Sequence, residues 1–189
     1  MKRKNSSVQN HKNFFLIKKF QKSYIVFKKI FQKYIKKKNI LAAISGGPDS
    51  LALATLCNIY GHENKNKIFY VLINHNLRKN SSEEAKIVKK IFSKERLKLK
   101  VINNKKNISK DIQNQARIVR YDLLSNFCKK NNVKFILTGH HSDDQIETFL
   151  IRLSRGSGID GLSSMKLVTK LNNNIKLLRP LLSFRKQDL

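Results

Sequence analysis

A chain of 189 residues, 40% of them hydrophobic, is long enough for one sizeable core and too short for two full domains. Its 40 lysines and arginines against 12 aspartates and glutamates give a formal net charge of +28, which favours a polyanionic partner such as nucleic acid over an acidic or neutral one; a solvated lysine surface is the plain alternative. The two cysteines, Cys57 and Cys128, stand singly and argue against a disulfide framework or a CxxC metal site, and no apolar stretch approaches the roughly 20 residues of a membrane span.

Residues 1–38 hold 13 basic side chains and no acidic one, and form a basic leader. Within it Phe14, Ile17, Phe20, Tyr24, Phe27, Phe31 and Tyr34 recur every three or four residues between lysines, a spacing that predicts an amphipathic helix. Docking of the apolar stripe on the core is the expected role. A membrane-surface helix, a targeting segment and an arm that contacts RNA are the alternatives.

From residue 39 onward the chain reads as one catalytic domain. Apolar runs at 40–44, 68–73, 97–102 and 133–137 have the character of buried parallel strands, and helical patterns fall at 49–60, 82–96, 109–130 and 143–153. This alternation predicts an α/β fold: a three-layer, mostly parallel sheet with helices on both faces and right-handed crossovers. Ligands in such sheets bind beyond the carboxyl ends of the strands, where the polar segments at 45–50, 74–78 and 139–147 all fall. At Leu189 a further helix pattern begins, so the reading allows either a minimal form or a piece of a longer protein.

The first of these segments, Ser45-Gly46-Gly47-Pro48-Asp49-Ser50, joins a strand to a helix start. Two glycines permit a sharp turn with exposed N–H groups, the hydroxyls and the helix N-terminus suit a polyphosphate, and Asp49 can hold a magnesium ion against it. A capped turn with Pro48 in the first helical turn is the alternative. Asp143, Asp144 and Glu147 crowd into five residues of a chain poor in carboxylates, with Asp144 and Glu147 one helical turn apart. They suit a second magnesium contact or the orientation of an amine nucleophile, or else an acidic helix cap.

His140 and His141 read as capping or substrate-contacting residues rather than as a metal pair. His75 follows a strand and is open to two readings, a position beneath a nucleobase or a loop residue with no role. Arginines are rare against the lysines, and the planar fork of Arg78, Arg117, Arg120, Arg152, Arg155 and Arg179 suits phosphate better than a lysine does. Arg155-Gly156-Ser157-Gly158, followed by Gly161, is either a phosphate or nucleic-acid contact loop or an ordinary helix exit.

Over residues 40–182 the chain resembles the N-type ATP pyrophosphatase (PP-loop) domain of the tRNA(Ile)-lysidine synthetases. The resemblance is carried by Ser45-Gly46-Gly47-Pro48-Asp49-Ser50, Asn74-His75-Asn76-Leu77-Arg78, Asn114-Gln115-Ala116-Arg117-Ile118-Val119-Arg120-Tyr121, Gly139-His140-His141-Ser142-Asp143-Asp144-Gln145-Ile146-Glu147-Thr148, Arg155-Gly156-Ser157-Gly158 and Arg179-Pro180-Leu181-Leu182. The first segment is common to many adenylating enzymes, whereas the ordered set is specific to the lysidine branch. It implies an adenine nucleotide alpha hydrolase-like fold and a ligase that adenylates the wobble cytidine C2 oxygen of tRNA(Ile) with a CAU anticodon. L-lysine then displaces AMP.

On that resemblance ATP and Mg2+ are the cofactors. Ser45, Gly46, Gly47, Pro48, Asp49 and Ser50 hold the phosphates, and Asp49 and Asp144 stand near the metal. Glu147 positions or deprotonates lysine, Arg117 steadies the phosphates or the adenylate, and Arg78, Arg120 and Arg155 face tRNA. A homodimer is compatible with the sequence and no membrane partner is expected. The lysine-rich, organelle-like composition suggests plastid stroma, with bacterial cytoplasm as the alternative. A tRNA thiolase would share the loop, but the missing CxxC pairs argue against it. A decayed tRNA-binding module is the reading from another class, and pyrophosphate release separates it from the enzymes.

Overall fold

The computed structural model describes residues 18–35, 38–106, 108–158, 163–172 and 174–189, without the side chains of 18–20. Phe14, Ile17 and Gly161, singled out above, lie outside the described residues, as does the side chain of Phe20. The element order is α1 (Lys18–Tyr34), β1 (Ile40–Ile44), α2 (Pro48–Asn64), β2 (Ile68–Asn74), α3 (Ser81–Lys94), β3 (Leu99–Asn103), α4 (Ile112–Lys130), β4 (Phe135–Leu137), α5 (Ser142–Ser154), β5 (Val168–Lys170) and β6 (Lys176–Leu178). A 3-10 turn follows at Lys186–Asp188.

The strands form one sheet in the order β3-β2-β1-β4-β6-β5, parallel throughout except for β5, which runs antiparallel on β6. Strand β1 is central because Ile-Leu-Ala-Ala-Ile can be covered on both faces, and pleating sends alternate residues to opposite sides. Ile40, Ala42, Ile44, Tyr70, Leu72, Phe135 and Leu137 join one core with residues of α1, α2 and α3. Leu41, Val71 and Ile136 join the other, beneath Leu124 and Cys128 of α4. The three layers and mainly parallel sheet expected from the sequence are present.

Two features differ from the expectation. Strands β5 and β6 were not anticipated; each has three residues, too few to establish an alternating pattern. Helix α5 has no buried residue, so it flanks the sheet's end without roofing a face, and Ile146, Phe149, Leu150, Ile151 and Leu153 are exposed. The second half of the leader is core: Tyr24, Phe27, Phe31 and Ile35 are all buried, and the Phe31 ring lies edge-on to Tyr60 of α2 with centroids 4.7 Å apart.

Strand order turns around between β1 and β4, with β2 and β3 reached on one side and β4 and β6 on the other. In an open α/β sheet that reversal leaves a crevice at the carboxyl ends of the two central strands. The segments after β1, β2 and β4 therefore face one another across it.

Candidate active site

A cavity of about 440 Å³ opens at this reversal, lined by Ser45, Asp49 and Ser50 after β1, by residues 74–78 at the end of β2 and beyond it, and by Thr138, Gly139, His140 and Asp144 after β4. The 45–50 loop is shaped by its own side chains. Gly46 sits at φ +93°, and a Cβ there would lie 2.7 Å from Val88 Cγ2, so glycine is required on both counts. The Ser50 hydroxyl donates to Gly47 O (2.8 Å) and accepts from Gly46 N–H (3.1 Å), which fixes the turn. That hydroxyl is already engaged, so it serves the loop before any ligand. Gly47, the N-cap of α2, offers no side chain to the first turn, whose free N–H groups and positive helix end suit an anion.

Asp49 is joined to the opposite wall through His141, 4% exposed. The Nε2 of His141 lies 3.5 Å from Asp49 Oδ2, and its Nδ1 lies 3.6 Å from Asp144 Oδ2. One imidazole thus spaces the two carboxylates that the sequence singled out for a metal. The same Asp144 oxygen accepts the backbone N–H of His141 at 2.8 Å, which draws the carboxylate back toward the start of α5 and onto the cavity wall. Gly139 brings the walls together: a Cβ on it would lie 2.9 Å from Asp49 O and 3.0 Å from Asp49 C.

The remaining candidates divide. Arg78 and Arg120 line the cavity. Arg117 is exposed, off the wall, and held over the Tyr121 ring at 5.2 Å. Glu147 is exposed and also off the wall, because Asp144 is turned back to the helix start while Glu147 stands about 5 Å further along the axis. Asp143 faces away, accepting Lys186 N–H at 3.3 Å, and Arg155 is exposed at the end of α5.

Two residues gained roles that sequence reasoning did not give them. His141 is the spacer just described; its position after a buried strand and before a helix was the one available signal. Arg179, 4% exposed, donates from Nη1 to Lys166 O (2.7 Å) and Thr169 Oγ1 (2.8 Å), tying β6 to the approach to β5.

Burial, followed by the positive charges of Arg179, Arg117 and Arg120 and against the pull of Asp144, pushes His140 down to about 4. Its Nδ1 pairs with Thr138 Oγ1 at 2.8 Å as a neutral ring. The unfolded chain binds a proton near pH 6.5 that the native chain refuses until about pH 4, so stability is full above 6.5 and falls between the two. Between pH 7 and pH 5 this group should remove about 2 kcal/mol. Urea unfolding at the two pH values should show a smaller loss for His140→Asn than for the wild type, and equal losses would contradict the assignment.

Among the described residues no group of three His, Cys, Asp or Glu side chains could by itself hold a metal ion, and no helix is long and apolar enough to cross a membrane. Burial pushes both thiols up, Cys128 to about 12, so neither is a ready nucleophile.

A family model described as a PP-loop domain matches residues 19–189. The chain is 46% identical over 156 residues to a tRNA(Ile)-lysidine synthase of Wolbachia pipientis wMel, covering 79% of this chain and 35% of that protein. It is 39% identical over 160 residues to the synthase of Orientia tsutsugamushi (84% and 36%), and 40% identical over 153 residues to that of Rickettsia typhi (79% and 35%). The chain therefore spans about a third of the length of the curated relatives it matches. Among solved structures, a U34-tRNA thiolase, NcsA, from Methanococcus maripaludis aligns with TM-score 0.74 at 16% identity over 90% of this chain and 61% of that one. An FMN adenylyltransferase of Candida glabrata aligns with TM-score 0.56 at 18% identity over 89% and 54%. At these identities the two structures show a shared fold only.

Proposed function

This chain belongs to the PP-loop domain family, and on that ground we propose that it uses ATP to adenylate the C2 oxygen of the wobble cytidine in tRNA(Ile) with a CAU anticodon. That step breaks the α–β phosphate bond and releases pyrophosphate; the ε-amine of L-lysine then attacks C2 and displaces AMP, leaving lysidine. The reading is supported by relatives named tRNA(Ile)-lysidine synthase at 39–46% identity. The observation that carries it is the meeting of Ser45, Asp49 and Ser50 of the loop after β1 with Asp144 in one cavity, with His141 between the two carboxylates.

Residues 45–50 would hold the polyphosphate through backbone N–H groups at the start of α2. Asp49 and Asp144 are the two carboxylates for Mg2+, and two fit an ion that takes its other oxygens from phosphate and water. Charge neutralisation on the polyphosphate is the chemistry it supplies when bound. The exposure of Glu147 leaves it open to an amine arriving from solvent, where it would orient lysine and take its proton. Arg117, on its Tyr121 perch, would steady the phosphates or the adenylate, while Arg78, Arg120 and Arg155 would meet the tRNA, aided by the exposed lysines of α1. We place the reaction in a bacterial cytoplasm rather than plastid stroma, because the relatives come from bacteria.

Labelled lysine added with ATP, Mg2+ and the CAU tRNA(Ile) tests this reading. Label should enter the tRNA and require ATP. A folded chain that binds ATP yet incorporates no label would overturn it.

A further inference from the structure

The edge of the sheet away from the cavity carries a row of lysines. Lys38, Lys67, Lys98 and Lys134 stand within two residues before the amino ends of β1, β2, β3 and β4. Lys176 opens β6, and Lys170, the last residue of antiparallel β5, pairs with it in register. The register puts them at one level: Ile40 of β1 lies beside Ile68 and Phe135, and Phe135 beside Lys176. Leu99, directly after Lys98, lies beside Tyr70, two residues along β2. All six lysines are exposed, and with strands about 4.8 Å apart the row is about 24 Å long. Lys38 and Lys67 are steadied over the rings of Phe135 and Phe69, at 5.5 and 5.0 Å.

A lysine-rich composition alone would stock both edges alike. Among the described residues, the cations within two residues of a strand at the cavity edge are Lys105, Lys166 and the internally bonded Arg179. Helix dipoles account for Lys94, Lys129 and Lys130 in the last turns of α3 and α4, but the row lies beyond the helices, on the strand starts. None of the six forms an ion pair among the described residues. The carboxylates at the helix ends on this side are Glu95 and Glu63, the latter held by Lys28 at 2.7 Å. Cations closer together than a Debye length of about 10 Å repel, so the row suits an anion of comparable length.

The chemistry of the row narrows that anion. Lysine is a point charge without the planar fork of arginine, so it takes phosphates whatever the bases attached to them. A lipid surface is the poorer match, because such binding adds apolar insertion to charge. The exposed large apolar side chains described here lie on α1, α3, α4 and α5 and at Leu77, away from this edge.

We propose that the amino-end edge of the sheet is a second RNA-binding surface, a sequence-independent track for the phosphate backbone. It lies at the opposite end of the strands from Arg78 and Arg120, which line the cavity.

Lys67→Gln/Lys98→Gln/Lys134→Gln/Lys176→Gln removes four charges from the row, and Lys86→Gln/Lys89→Gln/Lys90→Gln/Lys110→Gln removes as many from exposed sites off it. The probe is a labelled 20-mer of uridine. It has no cytidine to react, so its binding reports on the edge whether or not the proposed reaction takes place. Anisotropy across a salt series should show the row variant about tenfold weaker near 0.1 M salt, with the slope of log K against log salt reduced by about 2–3, since each phosphate contact on a single strand contributes about 0.7. The off-row variant should stay within about threefold of the wild type. Equal losses in the two variants, or no loss in the row variant, overturn the proposal. So does a wild type that leaves the uridine 20-mer for phosphatidylserine vesicles at equal phosphate, which would assign the edge to lipid. If the fourfold variant has no thermal transition, Lys67→Gln/Lys98→Gln and Lys134→Gln/Lys176→Gln are read by the same criteria at half the slope change.

Discussion

Asp49→Asn should lower ATP-dependent lysine incorporation by about 10²- to 10³-fold while the protein stays folded. Asp49 stands in the first turn of α2, and its carboxylate is 28% exposed, on the cavity side of His141. The amide keeps the size of the side chain and removes the charge. What is lost from the fold is a favourable carboxylate near a helix N-terminus, worth about 0.3–1 kcal/mol, or a few degrees in Tm for a chain of this size. What is lost from the proposed reaction is one of the two carboxylates assigned to the metal, which leaves Asp144 alone on the opposite wall. Asp49→Asn activity within tenfold of the wild type, at unchanged Tm, would remove Asp49 from the chemistry.

Gly139→Ala should damage stability and activity together. The added methyl would sit 2.9 Å from Asp49 O, 3.0 Å from Asp49 C and 3.2 Å from Ser50 N, all backbone atoms of the opposing loop. No flexible side chain is there to yield, so the loop after β1 has to move. Forced contacts of this kind cost about 1–3 kcal/mol, and a displacement near 1 Å at the reacting groups costs about 10²-fold in rate. Gly158→Ala is the matched control, since a Cβ there meets nothing within 4 Å; its stability should stay within about 0.5 kcal/mol of the wild type. Thermal unfolding and steady-state turnover of the two variants check the contrast. A Gly139→Ala protein as stable and active as Gly158→Ala would show that the two strand ends do not need their close approach.

The first four strands and the helices between them were legible because their apolar runs, continuous at 40–44 and 68–73 and broken only by lysines at 97–102 and 133–137, are bounded by polar residues. The phosphate-sized loop was legible for the same reason, standing between Ile44 and Leu51. The β5-β6 hairpin was not, because three-residue strands carry too little pattern, and the exposure of α5 was not, because a helical pattern does not tell whether its apolar residues meet the sheet. Asp144 and Glu147 were correctly placed one turn apart, yet spacing on a helix says nothing about which turn meets the cavity. That depended on the hydrogen bond from His141 N–H, which holds Asp144 back. The place of His141 between Asp49 and Asp144 depends on β1 and β4 being neighbours in the sheet, a fact of topology that no local motif contains.

Pyrophosphate release tests the central claim most directly, because it reports adenylation before lysine enters. With ATP, Mg2+ and tRNA(Ile) bearing CAU, the wild-type chain should release pyrophosphate in proportion to the tRNA supplied, and the same tRNA with uridine at the wobble position should give only background. Equal release with both tRNAs, or none with either from a chain that binds ATP, would contradict the account.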